Sequence, residues 1–438
     1  MTRMKYVILI IDGASGWPVA ALGGRTSLEA ARTPHLDRLA REGAIGLAYN
    51  VPPGMEPSSA IACMSVMGFD PALYYAGRGP IEAMAMGIEL EPGQVAMRCN
   101  LVTVSDGLME SYSAGNISSE EAAELIAALR EGLGDILAGP GGGNPPRMEL
   151  HPGVSFRNIL TVRHGAELLE TTFAAPHDLA GCPVESGAPV GPGAELIQEL
   201  TERSKAILAD HPVNRRRRER GLLPATQIWL FWPGMRPGSM PTFAGAYRGR
   251  RAAMTTGVDL LRGLALQTGG DILHVSGVSD GASNDFAGQM AGALKALDDH
   301  DVVFVHVEAP DDAGHAGDAG GKVRAIEHCD ELMVAQVLER AQAPAGAGAR
   351  GAAAGPGAPH TQGIRLLVLP DHPTPVELMT HVAEPVPFAM WGPGIEASGA
   401  KAYTEAEARA ADFAVAPGHL LMSLFLEGGT EDGAAECR

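Results

Sequence analysis

The sequence predicts an α/β fold in which a mostly parallel central sheet is flanked by helices. Three apolar runs predict the sheet, because they lack the polar–apolar alternation of strands that have one face in water. These runs span residues 6–11, 302–307 and 364–369. Segments with helical patterns lie between them, and strands that alternate with helices along the chain are typical of α/β proteins.

Three helices are marked by their starts or by their position before a strand. Thr33 and Pro34 predict the first start, since threonine favours the N-cap position and proline fits the first turn. A second helix is predicted to begin at Ser118, which is followed by two glutamates and, further on, by a glycine stop. A third, over residues 281–297, leads into the run 302–307.

The composition is that of a large globular protein. The 438 residues are 45% hydrophobic and 19% charged, which argues against disorder and indicates two or three domains. The net charge of −19 repels phosphate backbones, so a nucleic-acid partner is not expected. No apolar run approaches the roughly 18 residues of a membrane span. Five widely spaced cysteines without a C-x-x-C pair are typical of reduced thiols, which predicts a cytoplasmic protein.

The chain is expected to contain an inserted second domain. Residues 107–227 have short, weakly periodic segments, joints rich in proline and glycine, and a basic cluster at 215–220. The α/β core is then formed by residues 1–106 and 228–438. Within its second part, residues 341–360 are of low complexity and predict a mobile loop.

Acidic and imidazole side chains follow each of the three predicted strands. Ligands of parallel α/β sheets bind beyond the carboxyl ends of the strands, so these side chains are expected at one crevice. Mixed aspartate and histidine ligation suits Zn²⁺ or Mn²⁺. Six protein ligands are too many for one catalytic ion with an open position, which predicts two ions. The candidate ligands are Asp12, Asp311, His315, Asp371, His372 and His381.

The individual signals differ in strength. A lone aspartate at the end of a strand is often the N-cap of a helix, and the four-residue spacing of Asp311 and His315 is common by chance. The pair Asp371-His372 directly follows a buried strand, which makes it the strongest single signal.

A candidate nucleophile lies at Ser58 or Ser59, where a turn is predicted to precede a helix. A serine at a helix N-terminus has backbone N–H groups and the helix dipole beside it, which suits a phosphate group and an alkoxide. An ordinary N-cap is the interpretation that the local sequence alone favours.

Arg78 and Arg98 are candidates for binding an anion, because guanidinium groups bind carboxylate and phosphate oxygens in pairs. Surface salt bridges are the alternative. The cluster 215–220 is more typical of a solvated surface patch. A P-loop is absent: the nearest segment, 320–323, lacks the upstream glycine and the serine or threonine that would bind Mg²⁺.

Several motifs in this order resemble the cofactor-independent (2,3-bisphosphoglycerate-independent) phosphoglycerate mutases of the archaeal type, within the alkaline phosphatase superfamily. They extend over almost the whole chain and include VILIIDG, TPHLDRLAREG, EPSSAIACMSVMGFDP, GRGPIEAMAMGI, EAPDDAGHAGD and LPDHPTP. The resemblance implies an alkaline-phosphatase-like core with a smaller α+β domain inserted as a lid.

The resemblance also implies a two-metal phosphotransfer site. The first ion would bind to Asp12, Asp371, His372 and Ser59, and the second to Asp311, His315 and His381. Counting back from the landmark at 68–71 places the nucleophile at Ser59, with Ser58 as the alternative. The acid that follows this serine in the family is Ala60 here. Mn²⁺ or Zn²⁺ is favoured, and Co²⁺ and Mg²⁺ stay open.

The implied reaction interconverts 3-phosphoglycerate and 2-phosphoglycerate through phosphoserine, so the expected substrate is a small phosphorylated hydroxy acid. Arg78 and Arg98 match family arginines that are expected near the substrate. The segments 111–116 and 229–234 lack arginines that the family usually has there. A homoserine kinase-like phosphotransferase and a phosphoester or phosphonate hydrolase are therefore retained as alternatives. The sequence leaves a homo-oligomer open.

Overall fold

The computed structural model describes residues 4–139, 147–235, 240–343 and 363–427. The chain forms two compact units, of which the first combines Met1–Tyr75 with Met240–Arg438 and the second is Ala76–Ser239. The second unit thus begins before, and ends after, the inserted domain expected at 107–227. The lid function expected of that domain stays a prediction.

Strands occur in both units. In chain order they are β1 (Lys5–Ile11), β2 (Ala44–Ala48), β3 (Val95–Ser105), β4 (Leu108–Ser111), β5 (Met148–His151), β6 (Arg157–Val162), β7 (Gln227–Met235), β8 (Ala252–Thr255), β9 (Asp271–Ile272), β10 (Val302–Val307), β11 (Ile364–Leu369), β12 (Val386–Trp391) and β13 (Ala414–Val415).

The α-helices are short to medium in length. They are α1 (Ser27–Ala30), α2 (Pro34–Glu42), α3 (Ser59–Val66), α4 (Pro71–Tyr74), α5 (Arg78–Ala85), α6 (Ser119–Gly132), α7 (Gly134–Ala138), α8 (Ala194–Ala209), α9 (Pro212–Glu219), α10 (Phe243–Ala246), α11 (Asp259–Gln267), α12 (Phe286–Ala296), α13 (Ala309–His315), α14 (Ala319–Cys329), α15 (Ala335–Gln342), α16 (Glu405–Ala410) and α17 (Leu420–Glu427). None of the helices in the described ranges is long and apolar enough to cross a bilayer.

The first unit is built on a sheet of eight strands in the order β13-β2-β12-β11-β1-β10-β8-β9. Only β12 runs antiparallel to its neighbours in this sheet; the other pairs are parallel. The three predicted runs are confirmed as β1, β10 and β11, which lie side by side with β1 in the middle. Successive residues of β1 such as Ile8 and Leu9 are both fully buried, because helices cover both faces. The predicted α/β class with a mostly parallel sheet is confirmed.

The predicted helix starts are close to the observed ones. Helix α2 begins at Pro34 with Thr33 at its N-cap position, as predicted, although the Thr33 side chain makes no cap hydrogen bond to a described residue. Ser118 does cap α6, by accepting a hydrogen bond from the Glu121 N–H. The helix predicted over 281–297 begins only at α12, where Asp285 is the capping residue.

The second unit contains an antiparallel sheet in the order β4-β3-β6-β5, with β7 paired to β3. The long strand β3 lies between β6 and β7 over most of its length, which is why this unit takes in residues well before 107. Its core includes Met97, Leu125 and Leu200, from β3, α6 and α8.

The low-complexity segment 341–360 falls mostly outside the described residues. Its first two residues, Ala341 and Gln342, end helix α15. Residues 344–360 lie beyond the described ranges, so the loop predicted there stays a prediction.

Candidate active site

The candidate ligands converge because three neighbouring parallel strands end at the same edge of the first unit's sheet. Asp12 directly follows β1, and Asp371 and His372 come just after β11. Asp311 and His315 lie on α13, which begins after β10. His381 lies in the connection between β11 and β12. That connection is brought back to the same edge because β12 runs antiparallel to β11.

One group of ligands consists of Asp12, Asp371 and His372, whose side chains are all fully buried. His372 Nε2 lies 3.3 Å from Asp371 Oδ2 and 3.7 Å from Asp12 Oδ1. Each residue offers a ligand atom, and these atoms lie within 4.8 Å of one another. This distance suits a shared cation.

A second group is formed by Asp311, His315 and His381. His315 Nε2 lies 3.1 Å from Asp311 Oδ2 and 2.8 Å from His381 Nε2. His381 Nε2 lies 3.6 Å from Asp311 Oδ1. The rings of His372 and His381 are 3.9 Å apart between centroids, so the two groups adjoin. The structure therefore brings all six predicted ligands together.

Two further residues of the cluster were missed by the sequence analysis. His306 Nε2 lies 2.7 Å from Asp12 Oδ2, and Glu308 Oε2 lies 3.6 Å from the same nitrogen. With Asp12 they form a third group of possible metal ligands. A signal was present, because His306 is the only polar residue in the strand VVFVHV and Glu308 directly follows Val307.

The carboxyl groups of this cluster repel one another in a buried environment. Burial, followed by the negative charge of Asp371, raises the pKa of Asp12 well above its ordinary value. Burial likewise raises the pKa of Glu308 to about 8. Among the described residues, Asp12 Oδ1 and Glu308 Oε2 are buried oxygens without a hydrogen-bond partner. Such oxygens are costly unless a cation or a donor compensates them.

Imidazole groups shift other pKa values in the opposite direction. Burial alone would raise the pKa of Asp311, but hydrogen bonds from His315 and His381 outweigh burial and lower it. The hydrogen bond to Asp311 in turn raises the pKa of His315 to about 9. Burial lowers the pKa of His372, so that ring is neutral near pH 7 and has a lone pair for a metal.

The side chains fit a divalent cation. Four carboxylates and imidazole nitrogens, from which a bound cation would displace protons, are the donor set that Zn²⁺ and Mn²⁺ accept. The buried oxygens of Asp12 and Glu308 that lack partners would gain one from a cation. Both the donor chemistry and the mutual repulsion of these carboxylates thus favour a bound divalent cation.

The nucleophile candidate Ser59 is the first residue of α3, and its Oγ lies 3.2 Å from His372 Nε2. One turn further along α3, Cys63 Sγ lies 3.5 Å from Asp371 Oδ2, so this helix presents one side to the cluster. Ser58 occupies the N-cap position in extended conformation, and its side chain makes no cap hydrogen bond within the described chain.

Comparison with known proteins shows the family to which the chain is related. A family model described as 2,3-bisphosphoglycerate-independent phosphoglycerate mutase matches residues 40–214, and a metalloenzyme superfamily model matches residues 358–428. The phosphoglycerate mutase of that name from Methanothrix thermoacetophila is 42% identical over 425 residues, which cover 97% of this chain and 100% of the relative. The chain belongs to this phosphoglycerate mutase family. The Methanosarcina barkeri enzyme of the same name is 39% identical over 89% of this chain and 90% of its own length.

Solved structures show the same fold. The cofactor-independent phosphoglycerate mutase from Thermoplasma acidophilum has a TM-score of 0.63 at 23% identity, covering 98% of this chain and 100% of that one. A Pyrococcus horikoshii protein has a TM-score of 0.76 at 24% identity, covering 98% and 97%. The predicted family, and with it the isomerase class, is confirmed. The metalloenzyme match and the ligand groups together indicate dependence on a divalent metal.

The predicted substrate-binding arginines of this mutase-family chain belong to the second unit and share one carboxylate. Arg78 Nε lies 2.7 Å from Glu82 Oε1, and Arg98 Nη1 donates to Glu82 Oε2. Arg98 Nε also donates to Asn100 Oδ1 at 3.1 Å. The guanidinium of Arg78 lies over the ring of Trp232, 4.2 Å from its centroid. Contact of either arginine with substrate stays a prediction.

The basic cluster 215–220 lies on and just after α9, and most of it is exposed as predicted. Arg217 differs, because it is only 2% exposed. It pairs with Glu121 of α6 and donates to the carbonyl oxygens of Ala114 and Leu223. This arginine therefore holds parts of the second unit together, which its position in a basic run did not indicate.

Proposed function

We propose that the protein interconverts 3-phosphoglycerate and 2-phosphoglycerate, without added bisphosphoglycerate, through a phosphoserine on Ser59. The observation that carries this proposal is the position of the Ser59 hydroxyl, which starts helix α3 and lies 3.2 Å from His372 within the ligand cluster. The family to which the chain belongs supports the substrate.

Two divalent cations, Mn²⁺ or Zn²⁺, are proposed as cofactors. Asp12, Asp371, His372 and Ser59 would hold one of them, and Asp311, His315 and His381 the other, with His306 and Glu308 beside Asp12. When bound, such cations lower the pKa of a serine hydroxyl and offset the charge of phosphoryl oxygens.

The chain's own groups then carry out the transfer. The Ser59 oxygen attacks phosphorus, the bond from phosphorus to the 3-oxygen of the substrate breaks, and the 3-oxygen of bound glycerate takes up the proton that Ser59 gives up. After glycerate has turned, its 2-oxygen attacks phosphorus, the bond from phosphorus to Ser59 Oγ breaks, and the proton of the 2-hydroxyl goes to Ser59. The N–H groups at the start of α3 favour a phosphoryl group at this position. No water is consumed, so water must be kept from the phosphoserine.

Arg78 and Arg98 are proposed to bind the carboxylate or phosphate of the substrate. Their guanidinium groups share Glu82, which fixes their orientation within the second unit. The cytoplasmic location and the lack of a nucleic-acid partner stay predictions from composition.

The decisive experiment incubates Mn²⁺-loaded protein with 3-phosphoglycerate, without ATP or bisphosphoglycerate, and follows the products by phosphorus NMR. We expect 2-phosphoglycerate to form from the parent protein and not from the Ser59→Ala variant. A lack of 2-phosphoglycerate with Mn²⁺, Zn²⁺ and Co²⁺ would refute the mutase proposal. Free phosphate as the sole product would instead identify a hydrolase, and ATP-dependent formation of O-phosphohomoserine a kinase.

A further inference from the structure

Lys322, on helix α14, is a lysine with no exposed surface. Its Nζ donates hydrogen bonds to the carbonyl oxygens of Ser15 and Thr374, at 3.0 Å and 2.7 Å. Lysine is almost never fully buried unless its charge is compensated, because removing an ammonium group from water is costly. The burial of this ammonium group therefore points to a role for Lys322 at this position.

The two carbonyl groups that bind Lys322 belong to the loops that carry the metal ligands. Ser15 lies three residues after Asp12, at the end of β1, and Thr374 lies two residues after His372, beyond β11. The Thr374 N–H also donates to the Ser15 carbonyl at 3.2 Å. One ammonium group thus ties together two ligand loops that are far apart in the sequence.

Thr374 also contacts the segment after β10, which carries the ligand Asp311. Its Oγ1 donates a hydrogen bond to Asp311 Oδ1, at the start of α13. The space here is tight: Gly13 has a positive φ of 61°, and a Cβ at this position would clash with Asp311 Oδ1. Small shifts of either loop would therefore move the Asp311 carboxylate.

The positive charge of Lys322 is stabilised by carboxylates of the cluster and its surroundings. Burial lowers the pKa of the Lys322 ammonium to about 8, while the carboxylates of Asp311, Glu405 and Asp12 oppose that shift. The group is then mostly protonated near neutral pH. It places a fixed positive charge close to carboxylates that repel one another.

We propose that Lys322 is a positioning residue, whose ammonium group holds the loops after β1 and β11 so that Asp12 and His372 can bind one divalent cation and Asp311 the other. This inference rests on the metal site of the proposed function, but not on the identity of the substrate. Outer groups that orient metal ligands typically affect affinity by about 10- to 100-fold.

The test compares Lys322→Met with a matched control, Lys5→Met. Lys5 also donates to a backbone carbonyl, that of His300, at 2.8 Å, but it lies at the amino end of β1, opposite the cluster. The dissociation constant for Mn²⁺ is measured by calorimetry on metal-free protein, and folding is followed by thermal unfolding in EDTA. We expect Mn²⁺ affinity to fall about 10- to 100-fold in Lys322→Met and to change less than about twofold in Lys5→Met.

The kinetic readout separates positioning from substrate binding. At limiting Mn²⁺, kcat of Lys322→Met should fall while KM for 3-phosphoglycerate stays constant, and excess Mn²⁺ should restore much of kcat. A folded Lys322→Met variant that binds Mn²⁺ as tightly as the parent would overturn the proposal.

If Lys322→Met shows no cooperative unfolding transition, Lys322→Gln decides, because it removes the charge but keeps a hydrogen-bond donor for the carbonyl oxygens of Ser15 and Thr374. Weaker Mn²⁺ binding by the folded variant supports the proposal, and unchanged binding overturns it. A parent protein that binds Mn²⁺ but forms no 2-phosphoglycerate refutes the proposed function. The comparison of Mn²⁺ affinities still tests the role of Lys322 in that case.

Discussion

His306 and Asp12 form a fully buried pair, in which His306 Nε2 lies 2.7 Å from Asp12 Oδ2. The other ring nitrogen, Nδ1, lies 3.1 Å from Thr256 Oγ1, so the ring is held on both sides. Burial lowers the pKa of His306 to about 4, which makes the ring neutral near pH 7. A neutral imidazole that is fixed in this way sets the orientation of the carboxylate beside it.

Replacing His306 by alanine should weaken metal binding, because Asp12 loses the group that orients it. We expect Mn²⁺ affinity and mutase activity to fall by about 10- to 100-fold. Titration calorimetry and a phosphoglycerate assay at saturating substrate measure the two effects. Thr256→Val, which removes only the hydroxyl at Nδ1, should have a smaller effect in the same direction. Parent-like affinity in His306→Ala would show that Asp12 is oriented by other groups.

Ser59→Ala should eliminate phosphotransfer, because it removes the oxygen that accepts the phosphoryl group. We expect a loss of at least about 10³-fold in kcat, while the variant binds Mn²⁺ within about tenfold of the parent. Mass spectrometry of acid-quenched parent protein should find phosphate on the peptide that contains Ser59. The control is Ser58→Ala, which should retain activity. Activity in Ser59→Ala and its loss in Ser58→Ala would move the nucleophile to Ser58.

Removing the metal should lower the stability of the protein, because Asp12 and Glu308 then lack a compensating charge. With free Mn²⁺ at 100 times its dissociation constant, linkage adds about 2.7 kcal/mol to the free energy of unfolding. Thermal unfolding in EDTA and in a series of Mn²⁺ concentrations measures this gain. An equal Tm at all Mn²⁺ concentrations would argue against a site formed by folded protein.

Glu405 should make stability depend on pH. Burial raises the pKa of its carboxyl above the ordinary 4.5, although Thr26 Oγ1 and the Gly16 N–H donate to it. The folded state therefore holds a proton that the unfolded chain releases, and this stability is lost as pH rises through the folded pKa. Glu405→Gln should become more stable relative to the parent as pH rises above 4.5. Tm differences between the two proteins over a pH series check the sign, and the opposite trend would contradict it.

Arg98→Met should destabilise the second unit more than Arg78→Met. Arg98 and Glu82 are both more than nine-tenths buried, and breaking a buried ion pair costs about 3 kcal/mol even where a second arginine remains. The Arg78 side chain is 36% exposed, so its loss should mainly raise KM for 3-phosphoglycerate. Denaturant unfolding and steady-state kinetics separate the two effects. A KM unchanged in Arg78→Met would remove this residue from the proposed substrate site.

The sequence predicted the sheet centre and six of the clustered side chains, because β1, β10 and β11 are continuous apolar runs followed by Asp or His. It missed His306, because a single polar residue inside an apolar strand does not by itself show that its side chain reaches the ligand cluster. The contact of His306 with Asp12 shows that His306 belongs to the cluster, and this contact joins residues that are far apart in the chain.

The start of the second unit also depends on contacts between distant residues, and for that reason the sequence did not predict it. Strand β3 follows the first motifs directly and, like the strands of the first unit's sheet centre, is buried over most of its length. Its partners β6 and β7 come much later, and β-strand pairing depends on such distant contacts rather than on local pattern. Arg217 illustrates the same limit, because only the distant Glu121 distinguishes it from its exposed neighbours.

The central place of β1 in its sheet has a consequence for biosynthesis. This strand is translated before the other strands of its sheet, yet both of its sheet neighbours, β10 and β11, follow it in the sequence by almost 300 residues or more. The strands of the second unit come from one continuous segment, so their partners follow after a shorter delay. During translation β1 is an apolar strand without hydrogen-bonded neighbours, and such segments are prone to aggregate. The six candidate ligands can come together only after Asp371 and His381 have left the ribosome, so the complete cluster forms long after β1 has been synthesised.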